Sequence, residues 1–154
     1  MRHAKSSWAD PAVQDRDRPL NARGKRDAPR MGRLLGRIDS LPDLIITSDA
    51  KRARGTAKRV AKAVGYEGRI VRDTSLYAAG PASFLAALRE VDDRYDTVLV
   101  VGHNPGIEAL VHVSTGDSVL MPTGAIVRVV LDAAHWRDVD DSTPGKLRDH
   151  WLPK

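Results

Sequence analysis

The chain of 154 residues contains no cysteine, so disulfide bonds and thiolate chemistry are excluded. Aromatic residues make up only 5% of it, which leaves little material for stacking nucleic-acid bases. No apolar run approaches the roughly 20 residues that span a membrane, and the N-terminal segment lacks the apolar core of a secretory signal. We therefore expect a cytoplasmic protein that acts neither on membranes nor on nucleic acids.

The charge balance is basic, with a formal net charge of +5 and an isoelectric point near 9.8. Such a balance is compatible with nucleic-acid binding or with a phosphate-handling site on a basic protein. The basic residues are dispersed among acidic ones rather than gathered in one run, which favours the second interpretation. A phosphorylated substrate is therefore the partner we expect.

The spacing of apolar residues predicts an alternation of strands and helices. Residues 1–21 indicate a loop, and the tail after Asp132 shows too little periodicity to be assigned. The predicted helices cover 21–38, 50–64, 81–91 and 105–113, and the predicted strands cover 44–46, 69–72, 97–101 and 125–131. This order indicates an α/β fold, a three-layer α/β/α sandwich with a mainly parallel sheet. With no linker or repeat, residues 1–154 are expected to form a single domain.

Two polar segments follow predicted strands, where ligands bind in open α/β sheets. His103 comes directly after the strand 97–101, and Asn104 can cap the next helix, whose N-terminus attracts anions. Arg52 follows the strand 44–46, in a basic run that the helix dipole does not favour. Taken singly, the two residues are better explained as an ordinary histidine in a turn and an arginine on a solvated helix face.

Four segments in order give a sharper pattern: RHAKS at 2–6, DRPLNARG at 17–24, TSDAKRARGT at 47–56 and VVGHNPGI at 100–107. This ordered set resembles the histidine phosphatase superfamily, and most closely its short SixA-like phosphohistidine phosphatase branch. The resemblance covers roughly residues 2–131. It implies a phosphoglycerate mutase-like fold and a phosphatase that works through a phosphorylated histidine.

The resemblance also implies a role for individual residues. His3 would be the nucleophile, Arg2 and Arg52 would clamp the phosphoryl oxygens, and His103 would add a further donor. Substrate binding would involve Arg18, Ser6 and Asn104. No metal or cofactor is implied, because cationic side chains supply the positive charge.

The implied substrate is phosphohistidine on a protein. Two alternatives stay open: a phosphatase for sugar or nucleotide phosphomonoesters, and a phosphate-binding module without turnover.

Two features depart from the superfamily pattern. The Arg-His pair follows an apolar strand in the superfamily, whereas only Met1 precedes it here, so we expect the first strand to be missing and the true start to lie upstream. Without that strand, Arg2 and His3 are expected to lie on a frayed end. Larger members carry a general acid where this chain has Ser75, and Asp73 lies about two positions away from that place.

Overall fold

The computed structural model describes all residues from 1 to 154. Four helices and five strands follow one another in the order α1, β1, α2, β2, α3, β3, α4, β4, β5. The helices are α1 Ala22–Arg37, α2 Lys51–Val64, α3 Pro81–Arg89 and α4 Gly106–Thr115. The strands are β1 Leu44–Ser48, β2 Ile70–Asp73, β3 Val98–Val101, β4 Ile126–Leu131 and β5 Gly145–Trp151. None of the four helices combines the length and apolar character needed to cross a bilayer.

The central sheet is parallel, with the strand order β2-β1-β3. Ile45 of β1 pairs with Ile70 of β2 on one side and with Leu99 of β3 on the other. All five residues of β1 are buried, as expected for the middle strand of a sheet covered on both faces. The parallel arrangement brings the carboxyl ends of β1 and β3 to the same edge, where Ser48 and His103 follow.

The core divides into two layers on opposite faces of this sheet. Ile45 packs with Met31 of α1 and Val60 of α2, whereas its neighbour Ile46 packs with Phe84 of α3 on the other face. Successive strand residues point to opposite faces, so one short strand serves both layers. The predicted three-layer α/β/α sandwich with a mainly parallel sheet is confirmed.

The first three residues lie alongside β3 and are not a frayed end. The Met1 amine donates to the Val100 carbonyl at 2.8 Å, and Gly102 N–H donates to the Met1 carbonyl at 3.1 Å. On the other side, Arg2 N–H donates to the Ala125 carbonyl at 3.0 Å. Arg2 and Gly102 form a parallel bridge. The expectation that Arg2 and His3 lie on a frayed end is therefore wrong, because backbone hydrogen bonds hold these residues between β3 and Ala125.

The strands β3 and β4 do not pair with each other and belong to separate sheets. A cavity of about 760 Å³ lies between β3 and β4 and is lined by Leu99 and Ile126 among others. The Met1 amine is fully buried, and burial lowers its pKa from 8.0 to about 5. In a chain that starts at Met1, a buried amine that must lose its proton weakens folding by about 1.4 kcal/mol at pH 7.

We expect an added strand before Met1 to stabilise the fold. An apolar extension of about five or six residues would pair with the β3 edge and replace the buried amine by an amide N–H. Its melting temperature should exceed that of the chain starting at Met1 by about 4 °C or more, since about 1 kcal/mol corresponds to 2–4 °C at this size. A Gly/Ser extension of equal length is the control. Equal melting temperatures for both extensions would count against strand pairing.

Several boundaries differ from the sequence prediction. The tail forms β5, which pairs antiparallel with β4. Asn21 caps α1 by accepting from Gly24 N–H at 2.9 Å. Pro29 lies in the interior of α1. Asn104 does not cap α4, because α4 begins at Gly106 and no side chain caps it.

Candidate active site

Three catalytic candidates converge at the carboxyl edge of the sheet, although they are far apart in the chain. His3 follows the segment paired with β3, His103 follows β3 itself, and Arg52 lies in the first turn of α2, directly after β1. All three side chains are buried, with 6–7% of each residue's surface exposed. The imidazole rings of His3 and His103 are 5.0 Å apart.

One strand–helix unit supplies a contact to each part of the site. Ser48, Arg52 and Thr56 recur every four residues, so the last two lie on one face of α2. Ser48 Oγ lies 2.8 Å from His103 Nε2, and Arg52 Nε donates to His3 Nε2 at 3.3 Å. Thr56 Oγ1 accepts from the Ala4 N–H at 2.9 Å. This spacing is therefore explained by the three contacts that position the two histidines.

The ring of His3 presents an unprotonated nitrogen to the pocket. Its Nδ1 lies 2.8 Å from the Ala4 carbonyl oxygen, which can only accept, so Nδ1 carries the ring proton. The lone pair is then on Nε2, the atom that Arg52 contacts. Burial is the main cause that lowers the pKa of His3 to about 3, and His103, Arg52 and Arg2 lower it further. At neutral pH His3 is uncharged, as a nucleophile must be.

Burying neutral His3 makes the free energy of unfolding depend on pH. Between pH 6.5 and about 3 the unfolded chain binds a proton that the folded chain does not, so stability falls as the pH drops through 6.5. The loss attributable to His3 at pH 5 is about 2 kcal/mol.

We expect the free energy of unfolding of the wild type to fall between pH 7.5 and pH 5 by about 2 kcal/mol more than that of His3→Gln. Urea unfolding of both proteins at the two pH values measures this difference. The same pH dependence in both proteins would contradict a buried neutral His3.

His103 has one ring nitrogen without a partner. Ser48 occupies Nε2, whereas the buried Nδ1 has no hydrogen-bond partner in the protein. Burial, followed by Arg52, lowers the pKa of His103 to about 4. Gly102, just before it, is tightly enclosed, because a Cβ there would lie 2.8 Å from the Phe84 ring. A buried polar atom without a partner is uncommon in proteins, and Nδ1 of His103 is one within the site.

Arg52 is held by a residue that the sequence analysis did not identify. Its Nη2 donates to Asp15 Oδ2 at 3.0 Å, and the same carboxylate oxygen accepts from the Tyr77 hydroxyl at 2.6 Å. Tyr77 also packs edge-on against His103, with ring centroids 5.7 Å apart. Asp15 lies in a charged loop and Tyr77 after β2, and no motif connects them. Only the spacing of Asp15 from Arg18 in one short turn could have drawn attention to it.

The other arginines occupy distinct positions. Arg18 is buried rather than a surface residue. Its Nε donates to Asp15 Oδ1 at 3.0 Å, and its guanidinium lies 3.5 Å from the centre of the Trp8 ring. Arg2 donates to the Met121 carbonyl at 2.9 Å, and its buried Nε has no partner. Arg2 does not hydrogen-bond either histidine, but its charge lowers the pKa of both. A guanidinium nitrogen without a partner can serve an incoming anion.

Ser6 and Asn104 are placed less directly. Ser6 forms a two-residue bridge with Leu20, and no hydrogen bond joins its side chain to the histidines. Asn104 Nδ2 donates to Glu108 Oε1 at 2.8 Å and to the Met121 carbonyl, the group that Arg2 also contacts. Substrate contacts by Ser6 and Asn104 stay predictions. Of these two side chains, only Asn104 has a buried polar atom without a hydrogen-bond partner, its Oδ1.

The site thus combines an uncharged, buried histidine with arginines that can bind an anion. Arginine's planar fork suits two phosphate oxygens, and the first turn of α2 supplies one such fork beside His3. No group of three or more His, Asp or Glu side chains lies together as a set of metal ligands. Ser75 is exposed, and its hydroxyl donates to Asp73 Oδ1 at 2.6 Å. Neither residue forms a hydrogen bond with His3 or His103.

Comparison with known proteins places this geometry in a family. Residues 1–76 match the model of the histidine phosphatase superfamily, branch 1. A chloroplast protein of Arabidopsis thaliana without an assigned function is 34% identical over 132 residues, which is 80% of this chain and 61% of the relative. The chain therefore spans about three-fifths of that relative's length.

Two solved structures match nearly the whole chain. The candidate phosphohistidine phosphatase SixA from Agrobacterium tumefaciens is 29% identical, with a TM-score of 0.82, over 99% of this chain and 95% of the other. The corresponding protein from Nakamurella multipartita is 30% identical, with a TM-score of 0.81, over 99% and 93%. The chain belongs to the histidine phosphatase superfamily, in its SixA-like branch, and is a phosphatase.

Proposed function

We propose that this phosphatase removes the phosphoryl group from phosphohistidine on a protein in the cytoplasm. His3 Nε2 attacks phosphorus, the phosphorus–nitrogen bond of the substrate breaks, and the electron pair stays on the departing imidazole. Water then attacks phosphorus on His3 and releases inorganic phosphate. Arg52 and Arg2 bind the non-bridging oxygens, and His103 adds a donor as charge moves between the two nitrogens.

The proposal rests on the ionisation of Asp15, the carboxylate that contacts Arg52. The Tyr77 hydroxyl is the main cause that lowers the pKa of Asp15 to about 2, and Arg52 and Arg18 lower it further. Asp15 is therefore ionised at neutral pH and has no proton to donate. An alkoxide leaving group needs such a proton, which is worth about 10²–10⁴ in rate. Imidazole does not, because its conjugate acid has a pKa near neutrality.

The test is a substrate panel. We expect kcat/KM to be highest for a phosphohistidine peptide, intermediate for phosphoramidate and p-nitrophenyl phosphate, and lowest for a sugar phosphate. A sugar phosphate as the best substrate would overturn the proposal in favour of a phosphomonoesterase. If phosphate binds but neither turnover nor ³²P-labelled enzyme is found with any substrate, the chain is a binding module.

A further inference from the structure

Asp15 presents a problem for a site that must bind an anion. Its carboxylate accepts three hydrogen bonds from the site's own donors, one each from Arg18, Arg52 and Tyr77, and forms an ion pair with Arg18. Its side chain is nevertheless 47% exposed, so it remains accessible from the pocket mouth. A negative charge beside the phosphate clamp repels a phosphate dianion. Such a residue needs a compensating use.

Asp15 is separated from His3 by the guanidinium of Arg52. A single guanidinium joins the two: Arg52 Nε contacts His3 Nε2 at 3.3 Å, while its Nη2 contacts Asp15 Oδ2 at 3.0 Å. A phosphorus atom ready for attack lies about 3–3.5 Å from Nε2, with the departing atom on its far side. Arg52 must turn a donor toward the phosphoryl oxygens when substrate binds, which frees a lone pair on Asp15.

We propose that Asp15 recognises the leaving group, by accepting a hydrogen bond from an N–H that phosphohistidine carries and phosphate esters lack. This inference rests on the proposed function and adds a residue that selects the substrate class. In phosphohistidine one ring nitrogen holds the phosphoryl group, and the second can hold a proton. Asp15 stabilises that protonated ring, because a hydrogen bond from a cationic N–H to a carboxylate is among the strong ones.

The step balances without a proton donor from the protein. The bond from His3 Nε2 to phosphorus forms as the bond from phosphorus to the substrate nitrogen breaks. The electron pair goes to that nitrogen, while the proton on the second ring nitrogen stays there, bound to Asp15. The imidazole therefore departs neutral. The leaving group of an aryl phosphate departs instead as an aryloxide anion, which an ionised Asp15 disfavours.

Asp15→Asn tests this assignment, since it keeps the size of the side chain and removes the charge. We expect the ratio of kcat/KM for a phosphohistidine peptide to kcat/KM for p-nitrophenyl phosphate to fall about 10- to 100-fold. Phosphoramidate, which also has N–H groups on its leaving atom, should follow the peptide. Asp17→Asn is the matched control, because Asp17 is an exposed acid in the same short turn and contacts none of the site residues. Its ratio should equal that of the wild type.

Two outcomes would overturn the assignment. If Asp15 only holds Arg52 in place, activity on all three substrates will fall together and the ratio will not move. If Asp15 only obstructs the phosphate site, activity on all three will rise together. The wild type separates this inference from the proposed function: an inactive wild type on phosphohistidine peptides refutes both, whereas an active wild type with an unchanged Asp15→Asn ratio refutes only the role of Asp15.

Discussion

Replacing His3 by alanine is expected to reduce kcat by several orders of magnitude for every substrate. The variant loses the only atom placed to accept the phosphoryl group, and water alone is a poor substitute when the covalent route is removed. Brief reaction with ³²P-labelled substrate, followed by alkaline quenching and peptide mapping, should show the label on the peptide that contains His3. No label should remain on the His3→Ala protein.

His112→Ala provides the control, because His112 is exposed on α4 and contacts none of the site residues described above. It should retain normal turnover and normal labelling. Near-normal activity of His3→Ala would refute the mechanism, and label on His103 instead would exchange the roles of the two histidines.

The second large effect is expected at Arg52. Its guanidinium contacts His3 Nε2 and lies in the first turn of α2. Arg52→Ala should lower kcat about 10²- to 10³-fold, as for other donors that act on charge in the transition state. Arg52→Lys should recover little, because an ammonium group keeps the charge but cannot contact His3 and the phosphoryl oxygens through one planar fork.

Arg54→Ala separates this effect from a general loss of positive charge. Arg54 lies two residues along α2, beside a small surface cavity shared with Lys58 and Arg72, and makes no contact with the histidines. We expect its kcat to stay within a few-fold of the wild type. Equal losses in Arg52→Ala and Arg54→Ala would indicate a diffuse electrostatic effect and not a specific clamp.

The sequence was most informative where an apolar strand is followed directly by a short polar motif. The strand–helix units around Ser48 and His103 were predicted because continuous apolar runs end in short polar motifs. The strand β5 was missed for the opposite reason. Its partly buried positions alternate with exposed ones, but Gly145 and Asp149 occupy two of the partly buried places, so the apolar period of two is absent.

Asp15 could not be predicted as part of the site, although Arg52 could. The carboxylate and Tyr77 are separated by 62 positions in the chain and come together only when the loop before α1 folds over the sheet edge. A sequence pattern reports neighbours along one element, and it does not report contacts between two loops. The same limit applies to the first residues, whose anchoring between β3 and Ala125 depends on long-range backbone pairing.

The Thr56 hydroxyl that accepts from Ala4 N–H gives the active site a reporter that requires no substrate. This amide lies next to the nucleophile, and it can exchange with solvent only when the Ala4 segment separates from α2. Its deuterium exchange rate therefore measures how often the catalytic arrangement opens. Thr56→Val keeps the shape but removes the acceptor, so Ala4 should exchange faster while amides in β1 remain protected. In the proposed mechanism, opening events of this kind set an upper limit on how long a phosphorylated His3 stays shielded from bulk water.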